Sequence, residues 1–160
     1  MSARRWWGGV LIALACSATA VAGAPRLFER GSYAAILEAH REAPLLLVFW
    51  SIDCPPCREE LAMLGGVLRR HPELPLVLVS TDEPAMAAQV AAAAAEGGVG
   101  GVESWIFADG QAQRLRFEVD RGWYGELPRS YLFDAAHRRR GVTGRLSEGQ
   151  VESWYGGGVE

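Results

Sequence analysis

The chain has 160 residues, of which 49% are hydrophobic and 22% charged, and its formal net charge is −3. That is enough for one domain with a core and too little for two, and the apolar fraction is that of a folded globular protein. The small negative charge gives no sign of a nucleic-acid footprint, which needs a clustered basic surface, and falls short of an acidic disordered tail.

Residues 1–22 read as a targeting segment. Arg4 and Arg5 precede an uncharged stretch, residues 6–24, and Ala20-Val21-Ala22 fits the A-x-A pattern of a signal-peptide cleavage site. Two alternatives stand beside cleavage. The stretch is about long enough for an uncleaved membrane anchor, although Gly, Ala, Ser and Thr fill its second half. Ile12-Ala13-Leu14-Ala15-Cys16 also resembles a loose lipoprotein box, with Cys16 as the point of lipid attachment. Each alternative takes the remaining domain, residues 23–160, out of the cytoplasm.

Within that domain the spacing predicts a helix over residues 26–43, with Ser32 as N-cap and Ile36, Leu37 and His40 on one face. Pro44 ends it. The apolar run 45–50 reads as a strand buried on both faces. A helix over 56–70 follows, its core face marked by Leu61, Leu64 and Leu68, with Gly65 and Gly66 as a weak point and candidate kink. Residues 74–80 form a second apolar run, expected to be the parallel neighbour of the first. Asp82 is placed as the cap of a helix with Pro84 in its first turn, extended by the alanines at 91–95 and closed by the glycines at 97–101. A strand over 102–107 and a short helix within 111–118 come next. Residues 130–133 and 138–143 read as a hairpin turning at 134–137, which leaves Arg138, Arg139 and Arg140 alternating beside solvent. The last helix opens with a capping box, Ser147 and Gln150. This order describes an α/β sandwich with mixed strand directions.

The chemistry sits in Cys54-Pro55-Pro56-Cys57. A disulfide closing so short a loop removes little unfolded-chain entropy, so redox chemistry explains the pair better than stapling. Between a strand and a helix, the first cysteine lies at the helix N-terminus, where the dipole and free N–H groups favour thiolate. Cys54 is then the nucleophile, and Cys57, one turn inside, resolves the mixed disulfide. A zinc site would need a second cysteine pair, and His40, His71 and His137 lack ligand spacing, so no metal is expected. Neither Pro55 nor Pro56 offers an N–H to the thiolate, which points to a disulfide reductase rather than an oxidase. Arg58 opposes that argument; Glu59 and Glu60 favour it.

The segment Val48-Phe49-Trp50-Ser51-Ile52-Asp53-Cys54-Pro55-Pro56-Cys57-Arg58-Glu59-Glu60 resembles the active-site region of the thioredoxin superfamily, nearest its exported TlpA/ResA/CcmG-like branch. The resemblance implies a thioredoxin fold, a central mixed β-sheet flanked by helices, and an exported thiol–disulfide oxidoreductase with no cofactor beyond its own cysteine pair. It implies that Glu60 moves a proton to or from Cys57, against the plainer reading of a solvated helix glutamate. Leu127-Pro128 matches the superfamily's cis-proline loop, whose backbone pairs with an extended substrate. Pro55, Pro56, Leu127 and Pro128 are thus candidate substrate-binding residues. Trp50 and Trp123-Tyr124 are candidates for a peptide-docking surface, and Arg129 for a partner contact. The partners implied are exported protein disulfides and a membrane electron donor of the DsbD/CcdA type, with cytochrome c maturation as one setting. Two departures stand out: Val48 occupies the place of the buried acid found in cytoplasmic thioredoxins, and Ala135-Ala136-His137 lacks the usual glycine after the hairpin turn. An alternative reading is a thioredoxin-like binding module, a chaperone or copper-delivery adaptor.

Overall fold

The computed structural model describes residues 23–157; the targeting segment assigned to residues 1–22, with Cys16, lies outside them. Six strands form one sheet: β1 (Arg26–Phe28), β2 (Leu45–Trp50), β3 (Leu76–Ser80), β4 (Glu103–Phe107), β5 (Arg129–Phe133) and β6 (Arg139–Thr143). Their spatial order is β1-β4-β3-β2-β5-β6. The first four in that order run parallel, and β5 and β6 are antiparallel to their neighbours. Among the described residues five α-helices complete the fold: α1 (Ser32–Ala39), α2 (Pro55–Arg70), α3 (Ala87–Glu96), α4 (Ala112–Val119) and α5 (Glu148–Tyr155). Among the described residues no helix is long and apolar enough to cross a membrane.

Alternation along β2 explains why the sheet carries a core on each face. Leu46, Val48 and Trp50 pack with residues of α2, α3 and α5, including Leu61, Leu64, Val90, Val151 and Trp154. Leu45, Leu47 and Phe49 face the other way, toward Ile36 of α1, Leu115 of α4 and the aromatic group Phe28, Trp105 and Phe107. All six β2 residues are buried, as the unbroken apolar run requires.

Four local expectations are corrected. The segment read as helix from residue 26 begins as a strand: Arg26–Phe28 pairs with β4, and Gly31, at φ +89°, turns the chain into α1. Ser32 is therefore not the N-cap but the first helical residue, its hydroxyl accepting from the Glu29 N–H at 2.9 Å. Asp82 does not cap α3, since a 3-10 turn at Pro84–Met86 intervenes and Glu83 precedes it. Nor does α2 break at its glycine pair. It runs through, and Gly65 is where it meets the end of α3: a Cβ there would stand 2.1 Å from the Gly97 carbonyl oxygen. The hairpin forms without a turn glycine because His137 takes the left-handed conformation itself, φ +56°, while Asp134 accepts from the N–H groups of Ala136 and Arg138. The capping box of α5 is present in both directions.

Candidate active site

The chain leaves the buried end of β2 at Trp50 and reaches Cys54 in four residues. Cys54 is the N-cap of α2, with extended backbone, and Pro55 and Pro56 fill the first two helical positions, where a missing N–H costs nothing. The next amide belongs to Cys57. It points at Cys54 Sγ, 3.3 Å away. The two cysteines are joined in a disulfide with Cα atoms 5.2 Å apart. Their environments differ: Cys57 is only 1% exposed and belongs to the core beneath α2, whereas Cys54 is half-buried at the surface. An incoming thiol or disulfide thus meets Cys54 first.

One turn along α2, on the same side as Cys57, Glu60 is 1% exposed. Its carboxylate accepts from the Ser130 hydroxyl and from the Leu146 N–H, each at 3.0 Å. Burial raises its pKa above the ordinary carboxylate range, and these two hydrogen bonds offset the rise only in part. The solvated-glutamate reading does not hold.

Two of the charges near the pair are neutralised locally. Arg58 reaches away to Glu96 on α3 at 2.6 Å, and Glu59 pairs with Arg145. Leu127-Pro128 is a cis peptide. Because Phe49 pairs with Arg129 across β2 and β5, Pro128 comes level with Trp50, where the cysteine loop begins. Pro128 is buried and Leu127 half-buried, so the loop presents backbone more than proline side chain. Among the described residues neither the N–H nor the C=O of Leu127 has a hydrogen-bond partner.

The aromatic candidates separate. Trp50 is 0% exposed, sealed in the same core as Cys57, and lines no surface; its indole N–H is left without a partner. The cause is the strand: Trp50 is the last residue of an element buried on both faces. Trp123 is also interior, its ring 4.7 Å from Phe49 and its indole N–H donating to the Glu126 carbonyl. Tyr124 alone of the three faces solvent, at 83% exposure. Arg129 is not free for a partner either. It donates to Asp120 at 2.9 Å, to the Tyr131 hydroxyl and to Thr143.

The sequence reading missed a second polar cluster, beside the cysteine loop. Asp82 accepts from the Ser51 hydroxyl at 2.7 Å, the Ile52 N–H at 3.1 Å and the Ser80 hydroxyl at 2.6 Å. The available signal was the serine and aspartate at the end of an apolar strand, Ser80-Thr81-Asp82, which fits a loop anchor as well as a helix cap. Among the described residues no group of three or more His, Cys, Asp or Glu side chains is placed to hold a metal ion.

No family model matches the chain, and no curated protein matches it. Solved structures do. A secreted Mycobacterium tuberculosis disulfide oxidoreductase homologous to E. coli DsbE is 19% identical, with 75% of this chain and 85% of that one covered and a TM-score of 0.59. M. tuberculosis DsbF, in mixed oxidised and reduced forms, is 24% identical over 76% and 85%, with a TM-score of 0.61. A thiol:disulfide interchange protein of the thioredoxin family from Chlorobium tepidum is 16% identical over 76% and 83%, with a TM-score of 0.59.

Proposed function

With the thioredoxin fold as premise, we propose that the chain is an exported thiol–disulfide oxidoreductase that reduces disulfides in exported proteins. The observation that carries the reading is the asymmetry of the disulfide. The accessible sulfur caps a helix N-terminus, and the other lies in the core one turn from a buried carboxyl.

In the reduced protein the Cys54 thiolate attacks one sulfur of a substrate disulfide, and the other substrate sulfur leaves as thiolate. Cys57 gives its proton to Glu60. A carboxylate with a raised pKa is a stronger base than a solvated one, which narrows the gap to the thiol. The Cys57 thiolate then attacks Cys54 Sγ, releases the second substrate thiolate and closes the Cys54–Cys57 disulfide. Two electrons have passed to the substrate. They are restored by a membrane donor of the DsbD/CcdA type, and no other cofactor is needed. Pro55 and Pro56, exposed beside Cys54, form the docking surface, and the free backbone groups of Leu127, held beside the loop by Pro128, pair with an extended substrate segment. Export follows from residues 1–22, and cytochrome c maturation is one setting for such a reductase.

The reducing direction rests on the two prolines, which leave Cys57 as the single N–H at the head of α2 facing the Cys54 sulfur. The test is equilibration of the pair against defined thiol buffers. A potential near or below about −270 mV, that of thioredoxin, supports a reductase, and one near about −120 mV, that of DsbA, overturns the direction. Cys54→Ser is expected to abolish turnover of a protein disulfide such as insulin; retained turnover overturns the mechanism.

A further inference from the structure

Beyond the end of β2 the chain has no strand to lie against, yet its conformation from Ser51 to Cys54 decides where the reactive sulfur stands. The β2–β3 ladder closes with Trp50 opposite Ser80, and the Thr81 N–H still reaches the Trp50 carbonyl at 2.9 Å. One step further, the Asp82 side chain takes over the part of the missing backbone. Its Oδ2 accepts from the Ile52 N–H at 3.1 Å, and its Oδ1 accepts from the Ser51 hydroxyl at 2.7 Å. The Ser51 oxygen in turn accepts from the Asp53 N–H at 3.2 Å, and the Ser51 carbonyl from the Cys54 N–H at 3.2 Å. The carboxylate is itself fixed from below. Ser80, 0% exposed, donates to Oδ2 at 2.6 Å and accepts from the Asp82 N–H at 3.0 Å. Residues 51, 52, 53 and 54 therefore hang, directly or through Ser51, on one side chain set two residues beyond the end of the neighbouring strand.

We infer that Asp82 is a positioning residue for the disulfide: it holds the Cys54 loop in the geometry of the closed ring and so sets the balance between the oxidised and reduced protein. The direction of its effect follows from chain entropy. In the oxidised form the S–S bond restrains the loop whether or not Asp82 is present. In the reduced form only the Asp82 network does so. Removing the anchor frees the reduced loop more than the oxidised one, lowers the effective concentration of Cys54 Sγ at Cys57, and moves the equilibrium toward the dithiol. No bond to sulfur changes in this step; the two-electron couple stays that of the cysteine pair against the thiol buffer.

The inference rests on Cys54–Cys57 being the redox pair, and its test separates the two ideas. The full chain and its Asp82→Ala, Asp82→Asn and Ser51→Ala variants are equilibrated with glutathione buffers. The state of the pair is read from the mass of the alkylated fragment holding both cysteines, so that Cys16 does not contribute. Asp82→Ala is expected to shift the equilibrium constant about tenfold toward the dithiol, which is about 30 mV for a two-electron couple. Asp82→Asn, which keeps one acceptor oxygen, should fall between it and the parent, and Ser51→Ala should shift about threefold in the same direction. A merely structural role would lower the urea midpoint of both redox forms equally and leave the constant where it was. That result overturns the inference, and should Asp82→Ala fail to fold, an unshifted Ser51→Ala overturns it as well. Insulin turnover by the parent chain tests the proposed function separately: an inactive parent whose variants still shift leaves Asp82 in its role and removes the enzyme.

Discussion

Burial gives Glu60 a pH signature in the stability of the fold. The folded protein holds its proton to a higher pH than the unfolded chain does, because burial raises the pKa from its ordinary 4.5. Between those two values the folded state binds more protons than the unfolded state, so stability contributed at this position falls as pH rises through the window. Glu60→Gln removes the slope while keeping the shape: its oxygen accepts from Leu146 and its amide donates to Ser130. The expected outcome is a variant more stable than the parent at pH 8, with the gap closing toward pH 4.5, measured by urea denaturation across that range. The same substitution is expected to slow release of the mixed disulfide about a hundredfold, read in single-turnover assays, since it deletes the base. The spacing of Glu60 from Cys57 was legible in the sequence. Its burial was not, because the groups that enclose it, Ser130 and Leu146, lie 70 and 86 residues away along the chain. Trp50 fails the sequence reading for a related reason: pattern alone does not say how far toward the strand end the covering helix reaches.

At the scale of the element, α2 presents two adjacent glycines with opposite roles. Gly65 faces α3, and any side chain there meets the Gly97 carbonyl, backbone that cannot swing aside. Gly66 has no atom closer than 3.6 Å to where its Cβ would stand, and that one belongs to the flexible Arg69. Gly66→Ala should therefore stabilise the protein by about 1 kcal/mol, the helix-propensity gain. Gly65→Ala should destabilise it by about 1–3 kcal/mol through overpacking. Paired urea titrations distinguish them, and equal effects would mean that the close approach of the two helices does not matter. At α5 the capping box makes a simpler case, Ser147→Ala costing about 1 kcal/mol. The box could be read from two residues because both partners are local. The glycine pair could be recognised as unusual but not divided into its two roles, since only the position of α3 does that.

For the molecule as a whole, the sheet divides the interior into two cores, and the chemistry belongs to one. Cys57, Trp50 and most of α2 lie on one side; Leu115, Phe28 and the aromatic group lie on the other. Leu115→Ala should lower stability by about 2–5 kcal/mol, as a buried leucine truncation does, while leaving the glutathione equilibrium of the cysteine pair unchanged. A shift in that equilibrium would show that the sheet transmits strain between its faces. The general architecture could be read because apolar runs, helix periods and the hairpin are each encoded within a few residues. The first strand could not: Arg26–Phe28 is too short to display a period, and its partner Trp105 lies far along the chain.

The two prolines that open α2 have a practical consequence. Of the first three residues of that helix only Cys57 carries an amide hydrogen, and that hydrogen points at the sulfur whose chemistry is in question. In an isotope-labelled sample, one backbone resonance reports directly from the mouth of the helix, uncrowded by the neighbours that such positions usually supply. Its chemical shift follows the Cys54 sulfur through disulfide, thiol and thiolate, which makes a single peak a gauge of the redox state of the whole protein.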